Sequence, residues 1–259
     1  VINRLKIFLT RYRLARWLVN LKNGTLRFLR HGYDPKRFWN EWSDRFARQP
    51  YQRELHESNR WLLERLHEVH PTEVLEVGCG FGRNLKMLHD ESDLPCRLYG
   101  LDISLELLGK VHGEFALDVP LVCGDVTRLP LADAAFETIV THGVLMHVPP
   151  EDVRDGIREL VRVTGRTLWC IEEQVRPPDL RGESFSINDY TFAHDYPVLF
   201  REVGATITQA DYQGESVALI LLRIDIEPSG KGRLNTPGRA PKMGGTARAE
   251  PPPAGDPGA

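Results

Sequence analysis

The run Val74-Leu75-Glu76-Val77-Gly78-Cys79-Gly80-Phe81-Gly82-Arg83-Asn84 constrains the fold of this chain more than any other stretch. Apolar residues with a single carboxylate give way to three glycines at alternate positions, and helix-period apolar residues resume at Leu85 and Leu88. The order is strand, tight turn, helix. Glycine tolerates positive φ and has no Cβ to keep a ligand off the backbone, while the first N–H groups of the following helix favour an anionic or electron-rich group.

The spacing narrows the ligand. Dinucleotide binding uses G-x-G-x-x-G, which would need glycine where Arg83 stands; here the pattern is G-x-G-x-G, with Glu76 two residues ahead. The next strand-like run, Arg97 to Asp102, ends in a carboxylate about 20 residues after Gly82, the offset at which an acidic side chain accepts hydrogen bonds from ribose hydroxyls. A third motif follows at Cys123-Gly124-Asp125 and a fourth at Phe136 to Val148, which contains Thr141-His142-Gly143 and His147. In this order and at this spacing the four motifs resemble those of class I S-adenosylmethionine-dependent methyltransferases, especially the subgroup acting on small molecules, over roughly residues 71 to 226.

The resemblance implies an α/β fold: a Rossmann-like, doubly wound, mostly parallel seven-stranded sheet with an antiparallel last strand, preceded by N-terminal helices. It implies S-adenosyl-L-methionine as cofactor, with Gly78, Gly80 and Gly82 admitting the methionine moiety, Asp102 holding the ribose and Asp125 receiving the adenine amino group. Ile103 and Val126 would flank the ring, and Glu76 and Thr141 complete the implied cofactor residues. Alone, Asp102 or Asp125 reads equally well as a turn or capping carboxylate.

Composition sets outer bounds. At 259 residues the chain suits one α/β core with additions, and a net charge of −3 gives no general push toward nucleic acid. Cys79, Cys96, Cys123 and Cys170 include no C-x-x-C pair, so buried thiols are expected and no metal site. No apolar run reaches the roughly 20 residues of a bilayer span, and a cytoplasmic protein is expected.

Four segments are expected: residues 1–33 as a basic helical extension, 34–70 as a helical cap or lid, 71–226 as the methyltransferase core, and 227–259 as a disordered Pro/Gly-rich tail. Residues 1–30 carry eight Lys and Arg and no acidic residue. They read either as a contact to anionic membrane or a polyanion, or as a packed helix with solvated cations. Asp34-Pro35 starts a helix on which Phe38, Trp42 and Phe46 share a face, with Trp39 beside them; the stripe is core or lid. A further helix is expected near 55–69. Within the core, strands are expected over 74–77, 97–102, 119–122, 136–141, 166–172, 206–211 and 217–226, with helices over 83–89, 104–112, 151–163 and 196–203.

Methyl transfer asks an enzyme to align a nucleophile, exclude water and in some cases take a proton. The candidate catalytic residues are His142, His147, His194 and Tyr190, with Glu172 and Glu173 as further bases. Each histidine also reads as structural, and Asp195 as the N-cap of the following helix. The long segment from Val175 to Tyr196 suits a flap over an acceptor pocket. The expected reaction is methylation of a small-molecule or glycan acceptor at oxygen. Rival readings are an RNA or protein methyltransferase using the basic N-terminus, and a non-catalytic cofactor-binding subunit. Against base methylation, no Asn-Pro-Pro-Tyr-like motif ends the fourth strand.

Overall fold

The structure, a computed structural model, describes residues 33–91, 93–175, 184–186, 190–213 and 217–226. The basic extension before Tyr33, the tail after Ile226 and half of the expected flap lie outside the described residues.

Three helices come first: α1 (Pro35–Ala47), the single turn α2 (Pro50–Arg53) and α3 (Glu57–Val69). Strands and helices then alternate through β1 (Glu73–Val77), α4 (Arg83–Asp90), β2 (Arg97–Asp102), α5 (Leu105–Phe115), β3 (Leu121–Cys123), β4 (Phe136–His142), α6 (Val153–Val163) and β5 (Thr164–Val175). A short hairpin of β6 (Phe185–Ser186) and β7 (Phe192–Ala193) precedes α7 (Tyr196–Glu202), β8 (Ile207–Gln213) and β9 (Val217–Asp225).

Seven strands form one sheet in the order β3-β2-β1-β4-β5-β9-β8. The first five run parallel, and β9 inserts antiparallel between β5 and β8. This is the doubly wound architecture implied by the resemblance. Because strand side chains alternate, the sheet feeds two cores. Leu75, Val77, Ile139, Leu168 and Cys170 meet Val153, Ile157 and Leu160 of α6 on one face. Val74, Val140, Trp169 and Ile171 meet Leu62 and Leu66 of α3 and Leu85 and Leu88 of α4 on the other.

Several boundaries differ from the sequence reading, and in three of them the hydrogen bonds give the reason. β3 is Leu121–Cys123 and not 119–122, because its register follows Gly100, Leu101 and Asp102, while Pro120 contributes only a carbonyl to Gly100 N–H. β5 extends to Val175 because antiparallel β9 continues to pair with it there. The helix expected from residue 55 starts at Glu57, where Asn59 Oδ1 accepts the His56 N–H and fixes the cap. The thiols also divide: Cys79 and Cys170 are buried as expected, Cys96 is half-buried, and Cys123 is exposed at the end of β3.

The sequence start signal for α1 is realised. Asp34 Oδ1 accepts the Arg37 N–H at 3.1 Å, and Pro35 occupies the first turn. Ser104 Oγ donates to Asn40 Oδ1 at 2.8 Å, and Lys110 pairs with Asp44, so α1 is fastened across the carboxyl end of β2 and along α5. Its aromatic stripe therefore faces the end of the sheet where ligands lie in open parallel folds.

Candidate active site

The turn after β1 is built for close approach. Gly78, Gly80 and Gly82 have φ of 75°, 57° and 91°, the left-handed region that side chains avoid. A Cβ on Gly78 would stand 2.2 Å from Val144 Cγ2, whereas one on Gly80 would meet only Phe46 Cε1, at 3.7 Å. Thus Gly78 seats the turn against the segment after β4, and Gly80 leaves space beneath the α1 aromatics. The space belongs to a cavity of about 480 Å³, within the range of small-molecule sites.

Asp102, at the end of β2, organises the turn from below. Its Oδ2 accepts the Gly80 N–H at 2.8 Å and its Oδ1 the Ser104 N–H at 2.8 Å. Burial pushes its carboxyl up to about 6, against the pull of these N–H bonds. It still lines the cavity, so its remaining lone pairs are available to hydroxyl donors. Asp125 is exposed at the cavity rim, where one carboxylate oxygen closes a turn with the Thr127 N–H and hydroxyl. Ile103 and Val126 also line the cavity.

Glu76 is 2% exposed, and burial raises its carboxyl to about 7. Its Oε1 accepts from Asn84 Nδ2 at 2.6 Å, while Oε2 is buried with no hydrogen-bond partner. An orphaned buried acceptor on a cavity wall fits a cationic donor group. Arg83, half-buried at the start of α4, lines the same cavity and hydrogen-bonds Gln52 Oε1 at 3.3 Å. Carboxylate and guanidinium together suit the two charges of an amino-acid moiety. With the glycine turn, Asp102 and the cavity size, this donor and acceptor set fits S-adenosylmethionine.

A continuous aromatic wall leads away from the turn. Trp39 lies 5.4 Å from Phe46 and 4.9 Å from His147, both edge-on, and His147 stacks with Tyr190 at 5.9 Å. Tyr190 in turn stacks on Phe38 at 4.7 Å and leans on Trp42 at 5.4 Å. Trp39, Trp42 and Phe46 of the stripe line the cavity, with Trp39 edge-on to Phe46 and Trp42 stacked on Phe38. His142 lies on the β4 side, held at about 3 by burial and by the charges of Arg83 and His56. Burial likewise lowers His147 to about 4, against its bond to the Tyr190 carbonyl. Both imidazoles are neutral at physiological pH.

Three candidates are placed elsewhere. His194 is fully buried outside the cavity lining, bonded to Ser184 Oγ at 2.8 Å and Val148 O at 3.0 Å. It ties the hairpin to the segment after β4 and reaches no acceptor. Thr141 is also outside the lining: its hydroxyl points behind β4 and donates to Glu172 Oε1 at 3.0 Å. Glu172 in turn accepts the N–H groups of Val144 and Met146, capping the 3-10 turn Leu145–His147. Its bonds are structural, whereas Glu173 does line the cavity.

Asn59 and Asn84, which link the lid to Glu76 and His142, escaped the sequence reading. An asparagine beside a glycine turn carries no periodic signal. Among the described residues, no group of three or more His, Cys, Asp or Glu side chains could hold a metal ion.

The strand order together with the glycine turn and its acidic partner at the end of β2 defines the class I methyltransferase fold. Residues 74–166 match the family model described as a methyltransferase domain. Residues 74–166 thus form a methyltransferase domain by family match, within a sheet of the class I methyltransferase order. It is 31% identical over 101 residues to ajmaline N-methyltransferase from Rauvolfia serpentina, covering 37% of this chain and 33% of that protein. It is 29% identical over 110 residues to a malonyl-[acyl-carrier protein] O-methyltransferase from Herminiimonas arsenicoxydans, covering 42% and 40%. The chain thus spans less than half the length of the curated relatives it matches. The crystal structure of magnesium protoporphyrin IX methyltransferase from Synechocystis with bound SAM shares the fold, with a TM-score of 0.54 at 16% identity over 74% of this chain and 98% of that one.

Proposed function

We propose that this protein transfers a methyl group from S-adenosylmethionine to a small acceptor, at a hydroxyl oxygen, inside the cavity between the glycine turn and α1. The observation that carries this reading is the aromatic wall from Phe46 over Gly80 to Tyr190, which continues the cofactor cradle along the same cavity. A chamber roofed by Trp39 and Trp42 has room for a compact ring or chain. Ring stacking suits a planar molecule or the apolar face of a sugar.

When bound, the cofactor supplies an electrophilic methyl carbon on a sulfonium. Glu76 and Arg83 hold the amino-acid end, Asp102 the ribose, and Asp125, Ile103 and Val126 the adenine. Phe46 and Trp39 exclude water above Gly80, which strengthens the electrostatic interactions beneath them. A neutral imidazole facing the chamber, from His142 or His147, takes up the hydroxyl proton. The ajmaline N-methyltransferase among the relatives, named for a small-molecule acceptor, supports this acceptor class.

The test is incubation with methyl-labelled S-adenosylmethionine and cell extract fractionated into small molecules, glycans, RNA and protein. Label is expected in a small-molecule or glycan fraction, as an ether methyl. Label confined to RNA or protein would overturn the acceptor assignment.

A further inference from the structure

Three histidines line one cavity, His56, His142 and His147, and the hydrogen bonds behind the last two determine what each presents to it. The chain of bonds behind His142 begins at a backbone N–H. The His56 N–H meets Asn59 at 2.7 Å; an N–H only donates, so the amide atom it meets is Oδ1. Asn59 therefore turns Nδ2 toward Asn84, 2.6 Å away, and the atom it meets there is Asn84 Oδ1. Asn84 is left with Nδ2 facing two acceptors, Glu76 Oε1 at 2.6 Å and His142 Nδ1 at 3.2 Å. An amide nitrogen only donates, so His142 Nδ1 is the lone-pair nitrogen. The proton of the neutral ring sits on Nε2.

His147 is wired the other way. Its Nδ1 lies 2.8 Å from the Tyr190 carbonyl oxygen, which only accepts. Nδ1 therefore carries the proton and Nε2 the lone pair. Neither Nε2 has a hydrogen-bond partner among the described residues, and both rings line the cavity.

We infer that the site holds His142 and His147 in opposite tautomers, with His142 Nε2–H as a hydrogen-bond donor to the acceptor molecule and His147 Nε2 as the proton acceptor. Asn59 and Asn84 are the positioning residues that make His142 a donor. The assignment of roles rests on the methyltransferase reading above; the tautomers themselves do not. In the proton step the acceptor O–H bond breaks, its electron pair stays on oxygen, and a new N–H bond forms at His147 Nε2, giving an imidazolium that later loses its proton to water. His142 meanwhile donates to a second oxygen of the acceptor or to the oxygen gaining charge. The acceptor class this defines carries a protic group together with a hydrogen-bond-accepting oxygen. A histidine able to swap tautomers would serve either role and select neither.

The test is long-range proton–nitrogen NMR of the full chain with ¹⁵N-labelled histidine near pH 7, with signals assigned through His142→Gln and His147→Gln. The expected spectrum of the ligand-free protein shows His142 protonated at Nε2 and His147 protonated at Nδ1. In Asn84→Asp the carboxylate offers only acceptors, so His142 is expected to move its proton to Nδ1 or become an imidazolium, while His147 is unchanged. His142 protonated at Nδ1 in the wild type, or rapid exchange between tautomers at either ring, would overturn the inference. So would an unaltered His142 pattern in folded Asn84→Asp, and the wild-type spectrum decides alone if that variant does not fold. Adding S-adenosylhomocysteine to the same sample separates the two claims: absence of binding counts against the methyltransferase reading, whereas the tautomers are read before it is added.

Discussion

Gly78, Asp102 and His194 show how differently single residues serve the site. At Gly78, positive φ and a 2.2 Å overlap of any Cβ with Val144 coincide. Gly78→Ala therefore meets about 1–2 kcal/mol of backbone strain plus the displacement of the segment bearing His147. Its expected signature in thermal unfolding and calorimetry is lost stability together with lost cofactor affinity. Asp102→Asn keeps the shape but turns an amide N–H group toward a backbone donor or a ribose hydroxyl. Removing bonds to a charged group of this kind costs about 1.5–3 kcal/mol, or roughly 10- to 150-fold in affinity. His194→Ala is predicted to do the reverse of what its sequence position suggests: a stability loss of about 1–3 kcal/mol from an unpaired Val148 carbonyl, with cofactor affinity unchanged. Denaturant titration beside calorimetry separates the two. The placement of the turn glycines and Asp102 on one cavity was legible because glycine and aspartate at fixed offsets answer to backbone geometry. His194 was misread because its sequence neighbourhood, polar and aromatic, is the same whether a ring faces a pocket or a core.

Among the elements, the central parallel strands β1, β4 and β5 were readable from short apolar runs between turn signals, since each is buried on both faces. The 3-10 turn Leu145–His147 was not readable, because it exists through a tertiary contact: Glu172 on β5 accepts the N–H groups of Val144 and Met146. Burial raises that carboxyl to about 7. Glu172→Gln presents an amide N–H to at least one backbone donor and is expected to destabilise the fold by about 1–3 kcal/mol at pH 8, measured by denaturant unfolding. If stability is unaltered, the cap is not what holds the turn. The β6–β7 hairpin was equally invisible, with two residues in each strand and no alternation to detect. For α1 the stripe could not separate lid from core, because Trp39 and Phe46 contact each other and the cavity at once.

At the scale of the whole molecule, folding draws two buried carboxyls to one wall of the cavity, Glu76 at about 7 and Asp102 at about 6, both raised by burial. A carboxyl whose folded value lies above its ordinary one adds stability below the ordinary value, and that contribution is lost as pH rises through the folded one. The ligand-free protein therefore carries strained carboxylates above pH 7, and a ligand donating ammonium and hydroxyl protons relieves them. The rise in Tm caused by S-adenosylhomocysteine is predicted to be largest near pH 8 and to shrink as pH falls through 7 and 6. A rise independent of pH between 5.5 and 8 would remove Glu76 and Asp102 from the binding wall.

The central claim is that the cavity between the glycine turn and α1 binds S-adenosylmethionine through Asp102. Isothermal titration calorimetry of S-adenosylhomocysteine at pH 8, run in parallel on the wild type, Asp102→Asn and His194→Ala, tests it most directly. The account predicts one-to-one binding to the wild type, an affinity lower by roughly 10- to 150-fold in Asp102→Asn, and wild-type affinity in His194→Ala. No binding to the wild type, or equal affinity in Asp102→Asn, would contradict it.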